Sequence, residues 1–282
     1  MRTVTVSTHK RPEMTGGALR RVIELAREAG VEVHLPEDEV EKHGIEAQDG
    51  VVLGGDESAD PDLSIVLGGD GTILAALRRY ARRDVPVFAV NFGTIGFLAT
   101  IEPDELDTGI GLAMKGEFDT MPIPGLVAST SEGEQIGIND ISFHRQHTGR
   151  VAELAYSVEG EQLGEVRCDG LVVATPAGST GYNLANGGPV LAWGVAGYVV
   201  SFIAPHTLTA RALVVAPGDR LAVRNRSREE DVEMTTDGRS VCVLPREGTI
   251  EIRFEPESAL LAQLPGASFY HRLREKFGRL AY

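Results

Sequence analysis

The first part of the chain alternates short apolar, β-rich runs with segments of helical periodicity. In residues 16–30 the apolar side chains recur every three or four positions, as on one face of a helix, and Gly30 is suited to end it. Repeated alternation of this kind predicts βαβ units around a parallel sheet. The predicted strands are residues 2–8, 31–36, 63–67 and 85–91, and the predicted helices are 16–30, 72–83 and 103–116.

After about residue 120 the pattern changes to short strands separated by Gly, Pro, Asn and Asp, which predicts an all-β region. The strands predicted there are residues 125–130, 135–145, 151–160, 170–176, 197–205, 212–218, 220–226, 240–245 and 249–255. Residues 179–194 are too rich in glycine for a strand, and the apolar positions of residues 268–280 fit a terminal helix. We therefore expect an α/β nucleotide-binding domain over residues 1–118 and an all-β domain over residues 119–262. A C-terminal helix, residues 263–282, is predicted to pack on the first domain.

Composition narrows the classes of function. The chain has 282 residues, of which 42% are hydrophobic, and a formal net charge of -14, which disfavours nucleic acid or an anionic membrane as a partner. Four lysines among many arginines suggest a surface adapted to high salt, unless they reflect coding bias. No signal-like segment or run of about 18 apolar residues occurs, so we expect a cytoplasmic protein.

The spacing of metal-ligating residue types predicts no structural metal site. The two cysteines, Cys168 and Cys242, lie in no CxxC or Cys/His pattern. His144 and His147 are three residues apart on a predicted strand, which places them on opposite faces.

The tripeptide Gly-Gly-Asp occurs twice, at residues 54–56 and 68–70. The second copy lies between a predicted strand and helix, where glycines let backbone N–H groups and the helix N-terminus approach phosphate. Asp70 would repel phosphate, so it fits a base for a hydroxyl or a partner of a divalent metal. The first copy runs into acidic residues with no helix behind it, so we interpret it as a solvated turn. The predicted phosphate-donor loop is Gly68, Gly69, Gly71 and Thr72.

Other nucleotide motifs fail at this loop, since it lacks the lysine of a Walker A motif and the third glycine of the dinucleotide fingerprint. Three further stretches strengthen the assignment. Residues 91–99 add a glycine-rich turn with Phe97 available to stack on a base. Asn139 and Asp140 pair an amide with a carboxylate suited to an adenine edge and ribose hydroxyls. Residues 166–191 supply further polar groups around two glycine-rich turns.

These motifs, in this order, resemble the NAD kinase family, which phosphorylates the adenosine-ribose 2′-hydroxyl of NAD with ATP or polyphosphate. They read GGDGT at residues 68–72, NFGTIGFL at 91–98, IND at 138–140, TPAGSTGYNLANGGPVL at 175–191 and APHTLTAR at 204–211. GGDGT is shared with phosphofructokinases and lipid kinases, whereas the later stretches are specific. The resemblance implies an α/β domain followed by a β-rich domain, NAD and a donor as ligands, Mg²⁺ bound with the donor, and a homodimer or homotetramer.

The resemblance also implies roles for individual residues. Asp70 would accept or orient the 2′-hydroxyl proton, with Gly71 beside it, and Arg167 and Asp169 would face the nicotinamide end. A small residue of the same pocket corresponds to Ala204. The remaining residues implied to hold NAD are Phe97, Asn139, Asp140, Thr180, Gly181, Tyr182, Asn183, Leu184 and Ala185.

Four positions depart from the commoner family pattern: Ile95, Ala177, Gly181 and Ala185. Ala185 replaces a frequent serine, so we expect altered polar contacts to adenine, which Asn186 could offset. Two alternatives stay open at this point. One is another GGDGT-type kinase acting on a lipid or a sugar phosphate, and the other is a sensor that binds NAD(P) without catalysis.

Overall fold

The computed structural model describes residues 1–54, 60–94, 96–147, 150–266 and 269–278. The chain divides into two compact units, one comprising Met1–Pro122 and Ala259–Tyr282 and the other Ile123–Ser258. The domain boundaries predicted at residues 118 and 262 lie a few residues from these divisions. No helix among the described residues is both long enough and apolar enough to cross a membrane.

The first unit begins with alternating strands and helices. Gly30 and Gly116 end two of the helices in the left-handed conformation that favours glycine, and a 3-10 turn at Pro103–Glu105 leads into the helix that Gly116 ends. In chain order the elements are β1 (Thr3–Thr8), α1 (Pro12–Ala29), β2 (Glu32–Leu35), α2 (Glu37–His43), β3 (Val51–Leu53), β4 (Leu63–Gly68), α3 (Asp70–Arg79), β5 (Pro86–Asn91) and α4 (Leu106–Lys115).

The rest of the chain is mainly strands until a helix near the C-terminus. The elements are β6 (Asp119–Thr130), β7 (Gly133–Gly137), β8 (Asp140–Arg145), β9 (Ala152–Val158), β10 (Glu161–Cys168), β11 (Gly170–Ala174), α5 (Tyr182–Ala185), β12 (Tyr198–Ile203), β13 (Leu213–Val215), β14 (Leu221–Asn225), β15 (Val232–Thr236), β16 (Arg239–Leu244), β17 (Thr249–Gln263) and α6 (Phe269–Phe277). The chain leaves the first unit within β6 and returns to it within β17.

The sheet of the first unit is parallel, in the order β17-β5-β4-β1-β2-β3. Its central strands β4 and β5 are buried at every position, as expected where helices cover both faces of such a sheet. Val4, Ile65 and Phe88 are fully buried there, together with Leu19 of α1. Since β4 and β5 are paired and parallel, with Gly68 opposite Asn91, the loops that follow them emerge side by side.

The second unit contains antiparallel sheets. One has the order β13-β12-β11-β8-β15-β16, and in the other β9 pairs with both β10 and β14, which in turn pairs with β17. Phe143, Leu171 and Tyr198 are buried in one apolar cluster with Val223 of β14. This arrangement confirms the fold class predicted from the sequence, and α6 belongs to the first unit, as expected.

Some elements differ from the prediction. α1 begins at Pro12, four residues early, and α2, β3, β10 and β15 were not predicted. α2 is mostly charged, so it shows no apolar periodicity, and β3 has only three residues. β10 and β15 alternate polar and apolar residues only weakly. The continuous strand expected at residues 135–145 is two strands, separated at Ile138 and Asn139.

Candidate functional site

The glycine-rich loop after β4 is a tight connection from strand to helix. Gly69 precedes the first residue of α3, and its carbonyl accepts the N–H of Thr72 at 2.9 Å. A Cβ on Gly68 would lie 2.6 Å from Cβ of Thr72, so a side chain there would displace the first turn of α3. Gly71 is exposed, with no atom near a built Cβ. The loop therefore leaves open space at the helix N-terminus, where anions are favoured.

The loops after β4 and β5 touch through glycines. A Cβ built on Gly93 would lie 2.7 Å from Cα of Gly69, closer than such atoms approach. Asn91 supports the second loop, because its Oδ1 accepts the N–H of Gly93 at 3.0 Å and its amide nitrogen donates to Glu102. Gly96, at φ +69°, lies against the same amide. Glycines here are required by contact between two backbones as well as by turn conformation.

The carboxylate of Asp70 is held by the second loop. Its Oδ2 accepts the N–H of Phe97 at 3.1 Å, and its Oδ1 accepts the N–H of Leu98 at 2.9 Å. Two bonds to consecutive amides fix the plane of the carboxylate, while each oxygen keeps a further lone pair. Asp70 is partly exposed, so that lone pair can meet a ligand.

The C-terminal helix supports that loop from the other side. The ring of Phe97 is 6% exposed and packs on Phe269 and Phe277, with ring centroids 6.3 and 5.5 Å away. Arg272 donates to the carbonyls of Phe97, at 3.3 Å, and Ala99. Burial lowers the pKa of this guanidinium. The backbone amide of Phe97 contacts Asp70, whereas stacking of its ring on a base stays a prediction.

In the second unit, Asn139 and Asp140 lie where β7 ends and β8 begins. The carboxylate of Asp237 accepts three consecutive backbone N–H groups there: Ile138 at 3.1 Å, Asn139 at 2.7 Å and Asp140 at 3.2 Å. The N–H of Asp237 donates in turn to the carbonyl of Asp140 at 2.9 Å. The backbone of Asn139 and Asp140 is thus held by an aspartate in the turn between β15 and β16.

Asp140 is 8% exposed, and its side chain is in an unusual electrostatic environment. Burial, and then the neighbouring charge of Asp237, raise its pKa to about 7. Tyr182 lies close enough for the charge of Asp140 to act on it: burial, and then this charge, raise the pKa of the Tyr182 phenol. The charge of Asp140 therefore changes near neutral pH.

The loop after β11 is braced by its own polar side chains. Thr175 donates to the carbonyl of Ile138 at 2.8 Å, and Thr180 donates to the carbonyl of Ala177 at 3.2 Å. Asn183 is fully buried and donates to the carbonyls of Ser179 and Pro189, at 2.9 Å each. Asn183 thus shapes the loop from inside. Gly181, Tyr182 and Ala185 are exposed, and Leu184 is half-buried.

Asp169, between β10 and β11, pairs with an arginine at the end of β8. Arg145 binds its carboxylate at 2.7 and 3.3 Å, and this hydrogen bond lowers the pKa of Asp169. Arg167 is exposed and contributes its carbonyl to His206, and Ala204 is exposed at φ 44°. Tyr182 stacks on His144, with ring centroids 5.7 Å apart.

Three supporting residues were missed from the sequence: Arg145, Asp237 and Arg272. For Asp237 a signal existed, because Asp-Gly between two β-rich runs is a strong hairpin pattern. Of the first Gly-Gly-Asp copy only Gly54 is described, at φ 61° after β3. Asp56 and the departing residue Ile95 lie outside the described residues.

Comparison with known proteins shows the same two-part organisation. Residues 55–118 match the ATP-NAD kinase N-terminal domain model, and residues 138–264 match the ATP-NAD kinase C-terminal domain model. The NAD kinase of Gemmatimonas aurantiaca is 34% identical over 77% of this chain and 77% of its own, and that of Syntrophotalea carbinolica is 36% identical over 77% and 78%.

Solved structures agree on the fold. A yeast NADH kinase in complex with NADH has a TM-score of 0.90 at 22% identity and covers 100% of this chain and 89% of its own. An NAD kinase from Archaeoglobus fulgidus in complex with ATP has a TM-score of 0.75 at 25% identity and covers 99% and 98%.

Proposed function

Since the chain belongs to the NAD kinase family and phosphorylates NAD, we propose that Asp70 is the catalytic residue and acts on the adenosine-ribose 2′-hydroxyl. The observation that carries this role is the orientation of its carboxylate by the amides of Phe97 and Leu98, at 3.1 and 2.9 Å. A fixed carboxylate with a spare lone pair on each oxygen can accept a hydroxyl proton without first reorganising.

The donor phosphates bind at the loop of Gly68, Gly69, Gly71 and Thr72. Its geometry supports this assignment, because the loop opens the N-terminus of the ten-residue helix α3 and exposes Gly71. Transfer is direct and in line: the 2′-oxygen attacks the terminal phosphorus as its bond to the leaving phosphate breaks, and Asp70 takes the hydroxyl proton.

NAD contacts the second unit through Asn139 and Asp140, whose side chains suit the adenine edge and ribose hydroxyls. Thr180, Gly181 and Tyr182 add to this surface. Further proposed NAD contacts are Gly71, Phe97, Arg167, Asp169, Asn183, Leu184, Ala185 and Ala204. Among these, Asn183 contributes through the shape of its loop, since its amide nitrogen is bonded internally.

Mg²⁺ accompanies the donor. No group of three or more acidic, histidine or cysteine side chains able to hold a metal occurs in the described part of the chain. We therefore expect Mg²⁺ to be coordinated mainly by phosphate oxygens of the donor and by at most one or two protein carboxylates. The spare lone pairs of Asp70 fit that role, and the bound ion supplies charge neutralisation in a protein of net charge -14.

We further propose a cytoplasmic location and a homodimer or homotetramer. Light scattering coupled to size-exclusion chromatography measures the oligomeric state directly. A monomeric mass at the working concentration would contradict the proposed homodimer or homotetramer.

The proposed function is tested by combining donors and acceptors in one assay. ATP, other triphosphates and polyphosphate are each paired with NAD or NADH, and the position of the new phosphate is read by ³¹P NMR. We expect NADP phosphorylated at the 2′-position. A product phosphorylated elsewhere, or turnover of a lipid or sugar phosphate but not of NAD, would contradict it.

A further inference from the structure

The hairpin between β15 and β16 turns through only two residues, Asp237 and Gly238. Both have positive φ, 49° and 72°, as a type I′ turn requires. Asp-Gly is a preferred pair for this turn, so the turn by itself accounts for an aspartate here. The contacts of its carboxylate show that the residue does more than form the turn.

Asp237 binds a segment about a hundred positions earlier in the chain. Its two oxygens accept the N–H groups of Ile138, Asn139 and Asp140, at 2.7 to 3.2 Å, and its own N–H returns a bond to Asp140. Hydrogen bonds to a charged acceptor are about twice as strong as neutral ones. Four bonds therefore hold the backbone at the interruption between β7 and β8.

The neighbouring loop closes the same segment from another direction. The carbonyl of Asn139 accepts the N–H of Thr175 at 2.9 Å, and a Cβ on Gly178 would lie 2.0 Å from that oxygen. With its backbone fixed on both sides, Asn139 keeps a buried side-chain Oδ1 that has no partner among the described residues. An unpaired buried acceptor costs free energy unless a ligand supplies a donor.

We propose that Asp237 is a positioning residue for NAD, which orients Asn139 and Asp140 through their backbone amides. This inference rests on the proposed function, since it concerns the same substrate site. It adds a residue that contacts only the protein and controls how two substrate-binding side chains are presented.

Two elements packed near Asp140 carry titratable groups that face it. Asp237 faces it from the β15–β16 hairpin, and Tyr182 faces it from α5. Because the pKa of Asp140 is raised to about 7, the carboxylate that accepts ribose hydroxyls is depleted as the pH falls through 7. NAD affinity should therefore weaken below pH 7, and removal of the Asp237 charge should move this midpoint to lower pH.

The test compares Asp237→Asn and Asp237→Gly with the unchanged protein. Calorimetric titration of NAD without donor gives Kd, and steady-state assays give kcat and KM. We expect Kd to rise about threefold to tenfold for Asp237→Asn, which keeps one acceptor oxygen, and about tenfold to a hundredfold for Asp237→Gly. The effect should appear in KM more than in kcat. Glycine suits the positive φ, so Asp237→Gly preserves the turn.

Glu159→Gln is the matched control. Glu159 also has positive φ, 50°, precedes a glycine in a two-residue turn, and accepts a distant backbone N–H, that of Arg220 at 2.8 Å. The Glu159→Gln variant should leave the Kd for NAD and the pH midpoint of NAD affinity unchanged. Unchanged Kd in both Asp237 variants, an unmoved midpoint in Asp237→Asn, or an equal loss in Glu159→Gln would overturn the proposal. Lack of NAD phosphorylation by the unchanged protein would contradict the proposed function instead.

Discussion

The two units handle their key carboxylates in different ways. In the first unit, Asp70 itself accepts consecutive backbone N–H groups, from Phe97 and Leu98. In the second, consecutive amides bind Asp237, and the raised pKa of Asp140 reflects its burial beside that charge. The carboxylate of Asp70 is thus oriented by its own hydrogen bonds, whereas Asp140 is positioned through its backbone by Asp237.

This difference follows from how the strands pair, which is parallel in the first unit and antiparallel in the second. In a parallel sheet the loops after β4 and β5 emerge side by side, so amides of one loop can reach a side chain of the other. In an antiparallel sheet, β8 lies beside β15, and the turn after β15 reaches the residues preceding β8. Direct orientation suits a group that must be fixed during proton transfer, whereas the second arrangement leaves the charge of Asp140 open to change.

The largest effect is expected at Asp70. Asp70→Asn keeps the shape but removes the carboxylate that we propose as the base, so kcat should fall about 10²- to 10⁴-fold while NAD binding is retained. Steady-state kinetics and calorimetric titration measure the two separately. Asp56→Ala, in the first Gly-Gly-Asp copy, serves as the control and should hardly change activity. Full turnover by Asp70→Asn would refute the assigned role.

The next largest effect concerns contact between the loops. Gly93→Ala places a methyl group 2.7 Å from Cα of Gly69, so the two backbones must separate. We expect about 2–3 kcal/mol lower free energy of unfolding and a marked fall in kcat. Gly111→Ala is the control, because its Cβ meets no atom within 4 Å in α4. Denaturant titration that ranks the two variants equally would argue against the contact.

Arg272→Ala should act through the loop that holds Asp70. Loss of guanidinium bonds to the carbonyls of Phe97 and Ala99 frees the backbone that supplies the amides. We expect kcat to fall about tenfold, with Arg272→Lys intermediate because it lacks the planar fork. Arg274→Ala, an exposed arginine of the same helix, should match the unchanged protein. Identical kcat in Arg272→Ala and Arg274→Ala would exclude this support.

The smallest effect is on stability through Asp140. A folded-state pKa of about 7, above the ordinary 3.8, means that Asp140 adds stability below about pH 4 and that this is lost as pH rises through 7. Asp140→Asn should therefore be more stable than the unchanged protein at pH 8 and equal to it near pH 4. Denaturation at both pH values measures this, with exposed Asp231→Asn as the control. A difference independent of pH would contradict the raised pKa.

The candidate site was predictable from sequence where its chemistry lies in contiguous motifs. Gly68 to Thr72 follow an apolar strand and open a helix, and Asn139 and Asp140 are adjacent, so local pattern was enough to single them out. Arg145, Asp237 and Arg272 were not predicted as site residues, because each contacts a segment distant in sequence. Asp237 and Arg272 bind backbone groups there, and Arg145 binds the carboxylate of Asp169.

By itself the sequence determined the two-part architecture and the positions of the motifs, because apolar periodicity and glycine placement are local properties that the backbone must obey. The family followed from the resemblance of those motifs. Only the tertiary structure decided that Gly69 and Gly93 meet, that the amides of Phe97 and Leu98 orient Asp70, and that Asp237 holds the Asn139–Asp140 segment. Those contacts join strands and loops that are remote along the chain. The pairing and register of the strands bring these remote segments together, and no single short stretch of sequence specifies which strands pair.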